Sequence, residues 1–205
     1  GPIADRFVIP PFTILDARGG DWQEPKRAWQ AMGICGELGR DAESYSCNGE
    51  TGKKYDYMPQ FDSGTSIFDP VVCELAYRWF SPAGGQVVDP FAGGSVRGIV
   101  AGALGRNYWG CDLRHEQIDA NELQARTIDP LVTPNWVCGD SMETLPNAPQ
   151  ADMVFSCPPY GDLEVYSDSP NDLSNMEWHT FVAAYKRIIF RSVERMKPDS
   201  FACFV

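Results

Sequence analysis

Residues 87–98 read "VVDPFAGGSVRG", and this stretch decides the fold class. Two valines and an acid end a buried strand, Gly93 and Gly94 permit a tight turn, and "SVRG" opens a helix. Glycines at such a turn let a ligand approach main-chain atoms with no Cβ in the way. Asp89, at the strand's end, suits a cationic or hydrogen-bond-donating ligand better than a pyrophosphate.

Outward from this stretch, strands and helices alternate. The order is "QVVDPF" (86–91), a helix from about Val96 to Leu104, "NYWGCDL" (107–113), a helix over "HEQIDANELQARTI" (115–128), "NWVCGD" (135–140), "ADMVFS" (151–156), a helix over "WHTFVAAYKRIIFRSVERM" (178–196) and "FACFV" (201–205). That grammar predicts an α/β fold: a mostly parallel sheet, five strands in order, with helices on both faces. Upstream, "FDPVVCELAYRWFSP" predicts a helix with Asp69 as N-cap and Pro70 at its first position. Its expected apolar face is Val71, Val72, Leu75, Trp79 and Phe80, with Tyr77 off the stripe and Arg78 in solvent. Residues 1–60 read as an irregular arm. In it "IPPFTILDARGGDW" is extended, "EPKRAWQAMG" is one short helix with Pro25 near its start and Gly33 at its end, and residues 39–59 form a long loop. The domain proper spans residues 61–205.

At 205 residues and 43% hydrophobic, the chain can bury one substantial core. The opening Gly1-Pro2 reads as a protease scar and is set aside. Apolar runs fall far short of the ~18 residues that cross a bilayer, so a soluble, cytoplasmic protein with no membrane partner is expected. The seven cysteines include no C-x-x-C pair and no neighbouring His cluster, so neither a disulfide framework nor a metal site is expected. Cys111, Cys138 and Cys203 fall in strands and read as small buried hydrophobes. The net charge of −11 argues against a whole-surface grip on nucleic acid, which rests on clustered Lys and Arg. A nucleic-acid substrate would then be held partly by a further recognition domain or subunit. The oligomeric state is not legible.

Two more strands end in acids. Asp112 in "GCDL" lies about 20 residues beyond the glycine turn, the interval at which a carboxylate takes ribose hydroxyls. Asp140 in "CGDS" follows, placed to accept from an adenine amino group. Three such strand ends around one glycine loop describe a nucleoside pocket with no phosphate demand. At each position an ordinary turn residue is the competing reading.

"DPFAGGS" together with "CPPY" (157–160) resembles the S-adenosylmethionine-dependent amino-methyltransferases, whose signatures are Asp-Pro-Phe-x-Gly-Ser-Gly and Asp/Asn/Ser-Pro-Pro-Tyr/Phe. The resemblance covers about residues 61–205 and points above all to DNA methylases acting on exocyclic nitrogens. "PPFTILDARGGDWQEPKRAW" (10–29) is similar to the leader of phage and prophage DNA-modification methylases, which implies a bacterial or phage-infected host.

The resemblance implies a Rossmann-like methyltransferase fold that uses S-adenosylmethionine, releases S-adenosylhomocysteine and needs no metal. It also implies sixth and seventh strands beyond Val205. Asp89, Phe91, Ala92, Gly93 and Gly94 would line the methionine part of the cofactor, Asp112 the ribose, and Asp140 with Ser141 the adenine. Thr65 and Ser66 would meet its carboxylate. Cys157, Pro158, Pro159 and Tyr160 would form the catalytic set, acting on the exocyclic amino group of adenine or cytosine in DNA.

An exocyclic amino nitrogen is a poor nucleophile because its lone pair is delocalised into the ring. Acceptors aimed at its N–H groups draw it towards sp³, and the paired prolines, with φ fixed and no N–H, aim carbonyls there. Tyr160 would stack on a flipped base. Cys157 departs from the signature, since a thiol accepts weakly unless ionised. Neighbouring Ser156 faces the other way along the strand. Other readings stay open: the same chemistry on RNA or a protein glutamine, Cys157 adding to a pyrimidine ring, or a non-catalytic cofactor- or partner-binding module. The polar segment 161–178 reads as a substrate-side loop or lid, whose acids Asp162, Glu164, Asp168 and Asp172 would repel phosphate. His115 and His179 read as surface residues.

Overall fold

In a computed structural model, residues 17–34, 68–161 and 166–205 are described. Thr65, Ser66, Asp162, Glu164 and the loop at 39–59 lie outside them. The elements run α1 (Gly20–Ala31), α2 (Pro70–Phe80), β1 (Gln86–Asp89), α3 (Val96–Ala103), β2 (Asn107–Asp112), α4 (His115–Ile128), β3 (Asn135–Cys138), α5 (Ser141–Thr144), β4 (Ala151–Ser156), α6 (Trp178–Glu194) and β5 (Met196–Phe204). Short 3₁₀ turns lie at Leu145–Asn147 and Leu173–Asn175.

The five strands form one all-parallel sheet in the order β3-β2-β1-β4-β5. The chain winds outward from β1 to β3 and then returns to β4 on the other side of β1. This reversal opens a crevice between the carboxyl ends of β1 and β4, where open parallel sheets bind ligands.

Alternation along the strands builds a core on each face. Val87, Tyr108, Met153 and Phe155 pack with Tyr77, Ile99, Val100 and Ile118 of α2, α3 and α4. Val88, Trp109, Cys111 and Val154 pack with Leu145 and with Phe181 and Ile188 of α6. The expected two-faced α/β sheet is what the chain forms. No helix among the described residues is long and apolar enough to cross a membrane.

Three local expectations are corrected. The buried face of α2 is Val71, Cys73, Ala76 and Tyr77, while Trp79 and Phe80 are exposed. Tyr77 is inside because its hydroxyl donates to the Arg97 carbonyl at 2.9 Å, a polar tip satisfied within the core. Helix α1 begins at Gly20, so residues 20–22 are helical rather than extended, and Pro25 lies inside it. Its indoles fix it to α2: Trp22 Nε1 donates to Asp69 at 3.1 Å and Trp29 Nε1 to Glu74 at 2.9 Å. Cys138 is exposed, because β3 is an edge strand, whereas Cys111 is buried and Cys203 half-buried.

Candidate active site

Beneath the crevice lies a polar hub. Asp89 is fully buried, and its carboxylate accepts from Arg97 Nε at 2.6 Å, the Tyr108 hydroxyl at 2.7 Å, the Ser156 hydroxyl and the Phe91 amide. Arg97 also donates to the carbonyls of Phe91 and Ala92, at 2.6 and 2.9 Å, and stands over the Phe68 ring at 4.6 Å. Burial by itself disfavours the guanidinium charge, but Asp89 outweighs it and holds Arg97 above its ordinary value. Burial likewise pushes the Tyr77 and Tyr108 phenols well up, keeping both as proton donors. Asp89 therefore lies under the site rather than in its wall. Ala92 is buried there too, its amide donating to the Cys111 carbonyl at 2.8 Å.

Above the hub is a cavity of about 450 Å³, walled by the carboxyl ends of β1 to β4. Phe91, Gly93, Gly94, Asp112, Asp140 and Ser141 line one side, and Cys157, Pro158, Pro159 and Tyr160 another. A larger cleft of about 650 Å³ includes Gln86, Asn107 and Asn135, the first residues of three strands. It sits at the end of the sheet opposite the one where such folds bind ligands.

The glycine loop is held from both sides. The Gly93 amide donates to Asp112 Oδ2 at 3.0 Å, and Asn121 Nδ2 donates to the Gly93 carbonyl at 2.7 Å. Gly93 sits at φ +48°, which favours glycine, and a Cβ on Gly94 would meet no protein atom within 4 Å. Asp112 Oδ1 takes the Arg114 amide at 2.9 Å, and Asp140 caps α5 through the Met142 amide at 2.8 Å. The Ser141 hydroxyl donates to the Pro90 carbonyl, tying α5 to the end of β1.

This donor set fits S-adenosylmethionine. Acids stand at the ends of β2 and β3, where they would accept ribose hydroxyls and an adenine amino group, and Gly94 puts no Cβ in the wall. Burial pushes the Cys111 thiol up to about 11, so it is an inert wall.

At the end of β4, Cys157 Sγ lies 3.4 Å from the Tyr160 hydroxyl, which donates to the Val205 carbonyl at 3.2 Å. Either group can donate in the first contact. Cys157 places a thiol, a weak acceptor, where the signature calls for an oxygen or amide acceptor. Ser156 is committed to Asp89. Tyr160 is 59% exposed, leaving its ring accessible.

In the loop after Tyr160, Tyr166, Ser167, Asn171, Asp172 and Leu173 line the cavity. Asp172 is 3% exposed and accepts from the Ser167 and Ser174 hydroxyls and the Ser174 amide, so it folds the loop instead of repelling phosphate. No group of three or more His, Cys, Asp or Glu among the described residues is arranged to hold a metal.

Sequence reasoning passed over Arg97. Its signal was a lone cation in the first turn of an otherwise apolar helix, where the macrodipole disfavours positive charge. Gln117 of the cavity wall and Asn121, joined at 3.0 Å, were also passed over. They are polar residues one turn apart on the buried face of α4.

The sequence matches no family model and no curated protein. Among solved structures, the fold is similar to that of TrmN from Thermus thermophilus, with TM-score 0.54 and 17% identity over 67% of this chain and 38% of that one. An S-adenosylmethionine-dependent methyltransferase from Agrobacterium tumefaciens (TM-score 0.48, 14% identity, 67% of this chain and 44% of that) and an rRNA methylase from Streptococcus thermophilus (0.48, 8%, 68% and 72%) also align. The chain spans less than half the length of the first two. The architecture is the Rossmann-like methyltransferase fold.

Proposed function

We propose that this chain is the catalytic domain of an S-adenosylmethionine-dependent methyltransferase acting on the exocyclic amino group of adenine or cytosine in DNA. One observation carries the reading: the glycine loop with Asp112 and Asp140, and the Cys157-Pro158-Pro159-Tyr160 turn, are walls of one cavity at the switch point of the sheet.

S-adenosylmethionine, when bound, supplies an electrophilic methyl group and leaves as S-adenosylhomocysteine. Asp112 takes the ribose hydroxyls, Asp140 and Ser141 face the adenine, and Phe91, Gly93 and Gly94 bound the methionine side. Asp89 and Arg97 act as positioning residues, because Arg97 holds the Phe91 and Ala92 carbonyls and so the course of the loop. The Pro158 carbonyl accepts one N–H of the target amino group, and Tyr160 stacks on the base. The Cys157-Pro158-Pro159-Tyr160 turn would hold the amino nitrogen towards the methyl group that the bound cofactor would supply, with the proton released from nitrogen passing to solvent. Positioning supplies most of the acceleration, with no covalent enzyme intermediate.

Labelled-methyl transfer to unmodified DNA, to RNA and to protein, run beside calorimetry with S-adenosylhomocysteine, tests the reading. Incorporation into DNA base amino groups is expected. Incorporation only into RNA or protein moves the substrate class. Cofactor binding with no incorporation in any arm leaves a non-catalytic module, the reading that a thiol in the acceptor's place at Cys157 favours.

A further inference from the structure

Helix α6 returns antiparallel to β4, so its first turn stands at the carboxyl end of the sheet, beside the residue that follows Tyr160. From that turn inward to the cavity residue Phe91 runs a ladder of stacked rings. Trp178 stacks on Phe181 with centroids 5.6 Å apart and planes 20° from parallel, and Phe181 on Tyr185 at 5.7 Å and 18°. Tyr185 stacks in turn on the cavity residue Phe91 at 6.4 Å and 21°. The inner rings belong to the core on that face of the sheet. Trp178 ends the ladder in solvent and stays 65% exposed despite its stack.

Trp178 is also beside the catalytic turn. A Cβ built on Gly161, the residue after Tyr160, would lie 4.0 Å from Trp178 Cζ3, and Gly161 sits at φ +68°. Two large exposed aromatics, Tyr160 and Trp178, therefore both border Gly161.

We propose that Trp178 is a stacking platform for the nucleobase next to the target base, so that the site takes a single-stranded or locally opened nucleic acid rather than a free nucleoside. This rests on the function proposed above and deepens it. Base stacking needs only a π face and no cation, which suits a chain of net charge −11 whose platform is flanked by Glu177 and His179. A ring already held by its neighbour loses little freedom on binding, so the stack is preorganised.

The test uses Trp178→Ala and Trp178→Phe with short single-stranded DNA and RNA oligomers. Trp178→Ala is expected to raise KM for oligomers about ten- to hundredfold, leave kcat and S-adenosylhomocysteine affinity unchanged, and leave KM for an isolated nucleoside unchanged. Trp178→Phe, which keeps a ring, restores most of the loss. Oligomer binding is also read without turnover, as the part of the tryptophan fluorescence quench that Trp178→Phe abolishes. Equal KM and equal quench in all three proteins, or failure of wild type to bind any oligomer, overturns the platform. Failure of methyl transfer with the quench intact overturns the enzymatic reading alone. The DNA and RNA arms separate the two sources of the base.

Discussion

At the end of β1 both oxygens of the Asp89 carboxylate are taken by protein donors in full burial. One strand away, at the end of β4, Cys157 and Tyr160 share a single 3.4 Å contact and the tyrosine is largely in solvent. Both ends belong to motifs that the family resemblance assigns to the site. The difference teaches that the first is over-determined and shapes the loop, whereas the second leaves the Tyr160 ring in solvent, where the proposed base would stack.

The largest effect should come from the β1 end. Asp89→Ala strands the Arg97 charge in the core, with an expected cost of about 3–5 kcal/mol in denaturant unfolding. A loss below about 1 kcal/mol would break the contrast, because it would mean that Arg97 finds water.

The buried and accessible thiols extend the same comparison. Cys111 rises from about 9 to about 11 on folding. Its contribution is fully present below pH 9 and is lost as pH rises through 11, since the unfolded chain gives up that proton first. Cys111 alone adds a decline of up to about 3 kcal/mol over that window, beside those of buried Cys73, Tyr77 and Tyr108, and Cys111→Ala should make the slope shallower by that share. Iodoacetamide should modify Cys157 and spare Cys111 in the native protein.

Asp112→Ala removes an acceptor from both the loop and the ribose. It should weaken S-adenosylhomocysteine binding by about 1.5–3 kcal/mol in calorimetry. Tyr160→Ala should lower kcat/KM for a base substrate by about 1–3 kcal/mol of stacking, with cofactor affinity and unfolding midpoint unchanged. A parallel loss of cofactor binding would place Tyr160 with the β1 end instead.

The smallest effect should be Cys157→Ala, about 0.5 kcal/mol or less in kcat, because a thiol is a weak acceptor for the target amino group. Cys157→Asn restores an oxygen acceptor and should raise kcat. A large loss in Cys157→Ala would instead make the sulfur an essential group.

The strand-turn-helix grammar was legible because it depends on short-range chemistry: periodicity, Asp69 as a cap, and glycine where the chain bends. Helix α4 runs over residues 115–128, as its sequence pattern predicts. Tyr77 was misplaced because hydropathy does not register a hydroxyl that finds a carbonyl 20 residues away. The start of α1 was missed because its indoles bond to α2, more than 40 residues further on. Cys138 was misjudged because edge or centre is a property of the sheet order.

The sequence by itself determined the alternation of strands and helices, the glycine turn, the acids at the ends of β1 to β3 and the Pro-Pro-Tyr turn, since each is written in neighbouring residues. Tertiary structure alone decided that Asp89 serves Arg97 beneath the site while Asp112 and Asp140 face the cavity, and that Trp178 ends a ladder beside Tyr160. Burial and partner choice depend on which strands become neighbours, and the parallel order β3-β2-β1-β4-β5 brings together groups that lie far apart along the chain.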